Sequence, residues 1–161
     1  MIGNALSLVI ALALPQVIGI LAGVATARST RDWYPSLTKP WYTPPSWLFG
    51  PAWLVLYLMM GYASWRVWNV GWASPGVSLA LTVYGVHLLI NGLWSILFFG
   101  LRRPDWALIE VVFLWLGVAA SLLLFWRVDA MAGQLMIPYL GWVTFAAILN
   151  RGVVIRNPAF G

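Results

Sequence analysis

Apolar residues are grouped along the chain in five runs, separated by stretches that hold most of the charged residues and prolines. Each run has about 20 residues or more, the length that an α-helix needs to cross the hydrocarbon core of a bilayer. The first run follows no Lys or Arg and is longer than a signal-peptide core, so we expect a span rather than a cleaved leader. The pattern predicts membrane-spanning helices at residues 4–27, 46–68, 77–101, 106–126 and 134–154.

The connections between these runs are short, apart from the first. Breaks at 69–76, 102–105 and 127–133 force neighbouring helices to be antiparallel. The connection at 28–45 is rich in proline and aromatic residues, and its prolines prevent a continuous helix. The expected fold is an all-α integral membrane protein, in which residues 1–161 form one five-helix bundle with a long structured loop between helices 1 and 2.

Composition supports the same conclusion. Of the 161 residues, 62% are hydrophobic and 8% are charged, and a water-soluble domain of this size could not bury so much apolar surface. The net charge of +5 comes from cations placed singly or in a pair between apolar runs, which indicates headgroup contacts rather than nucleic-acid binding. The chain has no Cys, so disulfides and Cys-ligated metals are excluded.

The cations also predict an orientation. Seven of the nine would lie on one side of the membrane, namely Arg28, Arg31, Lys39, Arg102, Arg103, Arg151 and Arg156, and only Arg66 and Arg127 on the other. By the positive-inside rule, the first loop and the C-terminus are expected in the cytoplasm. The sequence does not indicate which membrane holds the protein.

A polar stripe marks the third run. His87, Asn91 and Ser95 follow one another at intervals of four residues and share one helix face, which should point into the bundle. They either hydrogen-bond across helices or contact a ligand. His87 is the single His, so two His ligands to a haem iron within one chain are impossible. Glu110 is expected near the start of its helix, within reach of headgroup water, and not as a proton-relay acid.

Aromatic residues follow the same helical spacing. Phe49, Trp53 and Tyr57 share a face of the second run, and Trp142 and Ala146 share one of the fifth. Some of the twelve Trp are too deep for an interfacial belt and suggest a pocket for a flat ligand. Small-residue pairs, such as Gly19 with Gly23 and Gly117 with Ser121, allow close helix packing. No paired carboxylate, nucleophilic triad, phosphate loop or metal-ligand cluster is present in the sequence.

Three segments carry a family resemblance. The stretches WYPSLTKPWYTPPSWLFGPAWLVLY from Trp33, NGLWSILFF from Asn91 and PYLGWVTFAAILN from Pro138 resemble three patterns of one family, in the right order and spacing. These are its first-loop and second-helix signature, its third-helix pattern and its fifth-helix pattern. This is the tryptophan-rich sensory protein family, also called the translocator protein, peripheral benzodiazepine receptor or TspO/MBR family. The resemblance covers essentially the whole chain and is to its bacterial-type members.

The resemblance implies a ligand pocket between the helices. It implies binding of protoporphyrin IX, haem, isoquinoline carboxamides and benzodiazepines, with porphyrin or haem as ligand and no required cofactor. It also implies homodimers. Carried over by motif, and with His87 added from the polar stripe, the pocket residues are Trp41, Phe49, Trp53, Tyr57, His87, Asn91, Trp142, Ala146 and Leu149.

The sequence departs from the family pattern at two places. The animal sterol motif needs a Tyr near the end of helix five, but ILNRGVVIR, from Ile148 to Arg156, supplies none. Sterol recognition is therefore not predicted there. His87 stands where bacterial members are expected to have Gln, which changes the polarity of the pocket.

Three functions remain open at this stage. The leading interpretation is a receptor or sensor for tetrapyrroles. The alternatives are a transporter of the same ligands and a light-dependent porphyrin-degrading activity, the only route by which the chain would be an enzyme. We expect the first loop to act as a lid over the pocket through Trp33 and Tyr34, although its rings could instead anchor at the headgroups.

Overall fold

The computed structural model describes residues 2–160, and all regular structure within them is helical. Residues 1 and 161, the ends of the predicted domain, lie outside the described residues. The long helices are α1 (Ile2–Asp32), α2 (Ser46–Val70), α3 (Val77–Ser95), α4 (Pro104–Val128) and α5 (Ala130–Arg156), and a π-helical turn, Ile96–Gly100, extends α3. In the described residues, five helices are long and apolar enough to cross a membrane, which confirms the predicted class.

The first connection is shorter than the predicted 28–45, because α1 continues to Asp32. Nothing in 28–32 breaks a helix, since the first proline of the connection is Pro35. The Thr30 hydroxyl donates to the carbonyl of Thr26 within this last part of α1. The loop is therefore 33–45, and it contains a single 3₁₀ turn, Tyr34–Ser36.

The predicted break at 127–133 is also wrong, because only Asp129 lies outside the helices there. Asp129 is extended and its carboxylate accepts from the amide N of Ala132 at 2.8 Å, which caps α5. A Cβ at Gly133 would come 2.6 Å from the Cβ of Trp126. Glycine at this position lets the two helices reverse direction within a single residue.

The helices form a ring in the order α1, α2, α5, α4, α3 and back to α1. We name its two ends by what they hold. The loop end carries the 33–45 loop, the α3–α4 connection and the end of α5. The clamp end carries an ion pair in which Arg66 Nη2 lies 2.8 Å from Asp129 Oδ2 and Arg66 Nε lies 3.1 Å from Asp129 Oδ1.

Small residues bring the helices together inside the chain. A Cβ at Gly19 would come 2.3 Å from Cε2 of Tyr57, and one at Gly117 would come 2.9 Å from the Cβ of His87. The Ser121 hydroxyl lies 3.1 Å from His87 Nδ1. Gly19, Gly117 and Ser121 are thus used for packing within one chain, whereas a Cβ at Gly23 would meet nothing within 4 Å. The homodimer stays a prediction.

Candidate functional site

A cavity of about 930 Å³ opens at the loop end. It lies between α1, α2, α5 and the end of α3. Its wall is mostly apolar and aromatic. The helical residues in the wall include Gly19, Gly23, Thr26, Thr30, Arg31, Phe49, Trp53, Tyr57, Trp94, Ser95, Phe98, Phe99, Trp142, Ala146, Leu149 and Asn150.

Aromatic rings of α2 and α5 pack edge to face on one side of the cavity. The rings of Phe49 and Trp142 have centroids 5.9 Å apart at 71°, and those of Trp53 and Trp142 are 6.3 Å apart at 83°. Trp53 also contacts Tyr57, with centroids at 5.2 Å. Such mutual packing holds the rings in fixed orientations, so the wall offers a rigid aromatic surface to a ligand.

Tyr57 is held by a buried polar network behind the wall. Its hydroxyl donates to Asn91 Oδ1 at 3.0 Å, and the Asn91 amide in turn donates to the Tyr139 hydroxyl. Asn91 therefore positions the Tyr57 ring and does not line the cavity. The predicted inward direction of the polar stripe is correct, because Asn91 and His87 are both buried.

His87 is fully buried behind the wall, with 0% of its surface exposed. Its ring packs against Tyr84 and Tyr139, at centroid distances of 5.1 and 5.8 Å. The prediction that placed it among the pocket walls is therefore corrected, because α4 packs close to it at Gly117. Among the described residues, no group of three or more His, Cys, Asp or Glu could hold a metal ion.

The mouth of the cavity is polar and cationic. Arg31, Tyr34 and Lys39 all line it. Lys39 Nζ lies 4.9 Å from the centre of the Tyr34 ring and donates to the carbonyl of Leu37 at 3.2 Å. Burial raises the pKa of the Tyr34 phenol, so its hydroxyl stays neutral.

The 33–45 loop is fastened to the bundle. The Asn157 side chain accepts from the amide N of Thr38 at 2.9 Å and donates to the Thr38 carbonyl at 2.9 Å. Pro40 packs on Gly152, where an added Cβ would come 2.5 Å from Pro40 Cγ. Trp33 is buried against Phe98, with ring centroids 6.0 Å apart.

Trp41 does not line the cavity, which corrects its predicted place in the wall. It is 90% exposed and contacts Tyr42, with ring centroids 5.6 Å apart. The loop anchors at Thr38 and Pro40 turn the next residue away from the bundle. Of the two predicted lid residues, Tyr34 reaches the mouth, whereas Trp33 lies beneath the loop in a small apolar cluster.

The structure brings together six of the predicted wall residues. Phe49, Trp53, Tyr57, Trp142, Ala146 and Leu149 line one cavity. The sequence reasoning missed the contribution of α1, although Gly19, Gly23, Thr26 and Thr30 recur at helical spacing and form a face of small or polar residues. That face was a usable signal in an otherwise apolar run.

Glu110 departs from its expected position near headgroup water. Helix α4 begins at Pro104, so Glu110 lies well inside it and is 7% exposed. Neither carboxylate oxygen has a hydrogen-bond partner among the described residues.

Comparison with known proteins agrees with this architecture. A family model described as the TspO/MBR family matches residues 11–156. Tryptophan-rich protein TspO of Chlorobaculum tepidum is 35% identical over 95% of this chain and 97% of that protein, and the protein of the same name from Archaeoglobus fulgidus is 36% identical over 96% and 99%. Translocator protein of Sus scrofa is 39% identical over 84% of this chain and 81% of that protein.

These similarities support an integral, multi-pass membrane protein with a receptor or sensory role. They agree with the five apolar helices and with the segments that first suggested the family. The chain therefore belongs to the TspO/MBR family.

Proposed function

We propose that this protein is a membrane receptor that binds tetrapyrroles such as protoporphyrin IX and haem in the loop-end cavity. The same cavity would accept isoquinoline carboxamide and benzodiazepine ligands. The observation that carries the proposal is the combination of a rigid aromatic wall with a cationic mouth in a single cavity.

Size and lining support this choice of ligand. A volume of about 930 Å³ falls within the roughly 300–1,000 Å³ range of small-molecule sites. Trp53 and Trp142 present large polarizable surfaces that suit a flat macrocycle.

Charge at the mouth supports a ligand with carboxylates. Arg31 and Lys39 are the cationic residues in the lining, and both lie at the loop end. A porphyrin that inserts its ring among the aromatic residues would leave its propionates beside these cations. Charge-assisted hydrogen bonds of this kind are stronger than neutral ones.

Titration of tryptophan fluorescence with protoporphyrin IX tests the proposal. We expect saturable quenching in the wild type and a Kd at least about tenfold higher in Trp142→Ala, the cost of roughly 1.4 kcal/mol of lost contact. Trp72→Ala is the matched control, because Trp72 is exposed beyond the clamp end of α2 and contacts Trp68. Quenching that does not saturate, or that is equal in both variants, would refute the proposal.

Transport is the second candidate, and the name of the translocator protein relatives favours it. The packing of the clamp end argues against it, because Met60, Val67, Phe125 and Met136 close that half of the bundle with 0% exposure. Porphyrin flux into proteoliposomes distinguishes the two functions. Saturable, protein-dependent flux would favour the transporter.

The predicted homodimer and the cytoplasmic orientation of the loop end belong to the same proposal. The orientation rests on the division of cations. Protease accessibility of the 33–45 loop in sealed vesicles of known sidedness tests it, and the mass of the protein in lipid nanodiscs tests the dimer.

A further inference from the structure

Three buried polar groups near the cavity have no hydrogen-bond partner within the described residues. They are the indole Nε1 of Trp94, the carboxylate oxygens of Glu110 and both side-chain amide atoms of Asn150. Asn150 is 1% exposed, yet both Asn150 and Trp94 line the cavity. Trp94 and Asn150 therefore border a space that protein atoms do not fill, whereas Glu110 is buried and does not line the cavity.

Glu110 and Asn150 lie at the same level of the bundle. Trp115 Nε1 donates to Thr144 Oγ1 at 2.9 Å, which sets the register of α4 against α5. These helices are antiparallel, so a step of five residues back along α4, from Trp115 to Glu110, matches a step of five residues forward along α5, from Thr144 to residue 149. Glu110 is therefore at the height of residue 149. Asn150 follows directly.

Trp94 lies at this level too. Gly117 of α4 packs against His87 of α3, which sets the register of that antiparallel pair. Seven residues separate Gly117 from Glu110, and seven separate His87 from Trp94. Neighbouring positions on three helices thus carry unpartnered polar groups at one height.

Leaving such groups without partners is costly. An amide or indole N–H removed from water without a hydrogen bond destabilises the fold, and a carboxyl group does so more strongly. A group retained in that state is explained when a bound molecule supplies the partner. Since Trp94 and Asn150 line the cavity, a ligand in the cavity can supply it.

The geometry points to Trp94 and Asn150, which lie at the level of the buried Glu110, as a hydrogen-bonding subsite that binds a hydroxyl group of the tetrapyrrole ligand, away from its carboxylates. This assignment rests on the proposed function. It adds a specificity: the cavity prefers flat diacid ligands that carry a hydroxyl group on the edge opposite their propionates.

A hydroxyl group fits this subsite better than a carboxylate does. The Trp94 indole provides only a donor, whereas the Asn150 side-chain carbonyl oxygen provides an acceptor. A hydroxyl both donates and accepts, but an ionised carboxylate only accepts. The ligand's carboxylates instead pair with Arg31 and Lys39 at the mouth of the cavity.

The test compares the binding of protoporphyrin IX with that of haematoporphyrin IX. Haematoporphyrin IX has the ring and propionates of protoporphyrin IX, with hydroxyethyl groups in place of the vinyl groups. We would measure both Kd values in nanodiscs and take their ratio, protoporphyrin over haematoporphyrin, for each variant. Partition of the free porphyrins into lipid is the same for every variant, so it cancels when ratios are compared.

The variants are Asn150→Leu and Trp94→Phe, which remove hydrogen-bonding atoms and keep much of the volume. Matched controls are Asn69→Leu and Trp72→Phe, both remote from the cavity. We expect each cavity variant to lower the ratio about tenfold relative to the wild type, corresponding to about 1.4 kcal/mol for a lost hydrogen bond. The controls should keep the wild-type ratio.

The outcomes separate the two proposals. If both porphyrins bind saturably but the ratio is the same in the wild type and both cavity variants, the subsite is refuted and the receptor stands. If neither porphyrin binds saturably to the wild type, the proposed function is refuted and the subsite with it. A ratio that falls in only one folded variant supports a hydrogen bond from that residue and refutes one from the other, so a single folded variant still tests its own residue.

Discussion

The two ends of this bundle are built from similar apolar residues and differ in how closely their helices approach. At the clamp end, Ala63, Ala80 and Ala132 are fully buried. In the same half, a Cβ at Gly61 would come 2.6 Å from the carbonyl oxygen of Ala11. At the loop end, an added Cβ at Gly50 would meet nothing within 4 Å. Backbone contact between α1 and α2 closes the clamp half, whereas the space beside Gly50 belongs to the open cavity.

The difference shows how a small membrane protein keeps a large cavity. Lipid gives little hydrophobic drive for helix association, so stability depends on close packing and on polar contacts between helices. The clamp end supplies both, through its small residues and the pairing of Arg66 with Asp129. The loop end can then present large aromatic rings as walls without having to fill the space between them.

The largest expected effect on the free energy of unfolding comes from adding a side chain at Gly61, where α1 and α2 are in contact. Gly61→Ala would push a methyl group against the backbone of α1, and we expect a loss of about 3 kcal/mol or more in the free energy of unfolding. Gly50→Ala in the open half should change stability by no more than about 1 kcal/mol, since Ala favours a helix over Gly. Thermal unfolding in detergent measures both. Equal losses would contradict the contrast between the ends.

Removing the clamp should have the next largest effect. Asp129→Ala deletes the pairing with Arg66 and the cap on α5, and we expect a loss of about 2 kcal/mol. The control is Asp32→Ala at the loop end, where Asp32 is exposed and lies 3.6 Å from Arg28. That exposed pair should contribute less than about 0.5 kcal/mol. A control loss as large as that of Asp129→Ala would show that the clamp has no special role.

The clamp also predicts a pH dependence. The hydrogen bond from Arg66 lowers the pKa of Asp129 from its ordinary 3.8. Its stabilising contribution is therefore complete at pH values above 3.8 and is lost as the pH falls through the lower pKa of the folded state. Unfolding curves of the wild type and Asp129→Asn should converge in acid. If the two proteins still differ in stability by the same amount at the lowest pH, the assignment of this pH dependence to Asp129 is wrong.

The smallest effect concerns the loop anchor. Asn157→Ala removes two hydrogen bonds to Thr38, so the mouth residues Tyr34 and Lys39 should move more freely. We expect porphyrin to dissociate roughly three- to tenfold faster, the cost of about 0.7–1.4 kcal/mol, with little change in stability without ligand. Stopped-flow release measures the rate.

Trp41→Ala is the matched comparison for the anchor. Its ring is exposed and does not line the cavity, so dissociation should stay within about twofold of the wild type. A larger effect from Trp41→Ala than from Asn157→Ala would show that the Trp41 ring, and not the Asn157 anchor, retains the ligand in the cavity. It would also place the ring over the cavity in the bound state.

Much of the fold could be predicted because lipid imposes a strong constraint on sequence. A chain in a bilayer must satisfy its backbone within helices, so apolar runs of sufficient length predict the spans directly. The ends of the helices were predicted less accurately than their number. The helix from 28 to 32 and the one-residue turn at Asp129 depend on side-chain hydrogen bonds and on Gly133, which hydropathy does not report.

The sequence by itself determined the membrane class, the five helices and the aromatic residues of α2 and α5 that share a wall. Only the tertiary structure decided that His87 and Asn91 lie behind that wall, that Trp41 faces away, and that α1 completes the cavity. The physical reason is that a helix in lipid is apolar on every side, so its sequence pattern does not show which face meets a neighbour. Helix rotation and close approach at glycines fix that face, and they placed Trp94, Glu110 and Asn150 at one level.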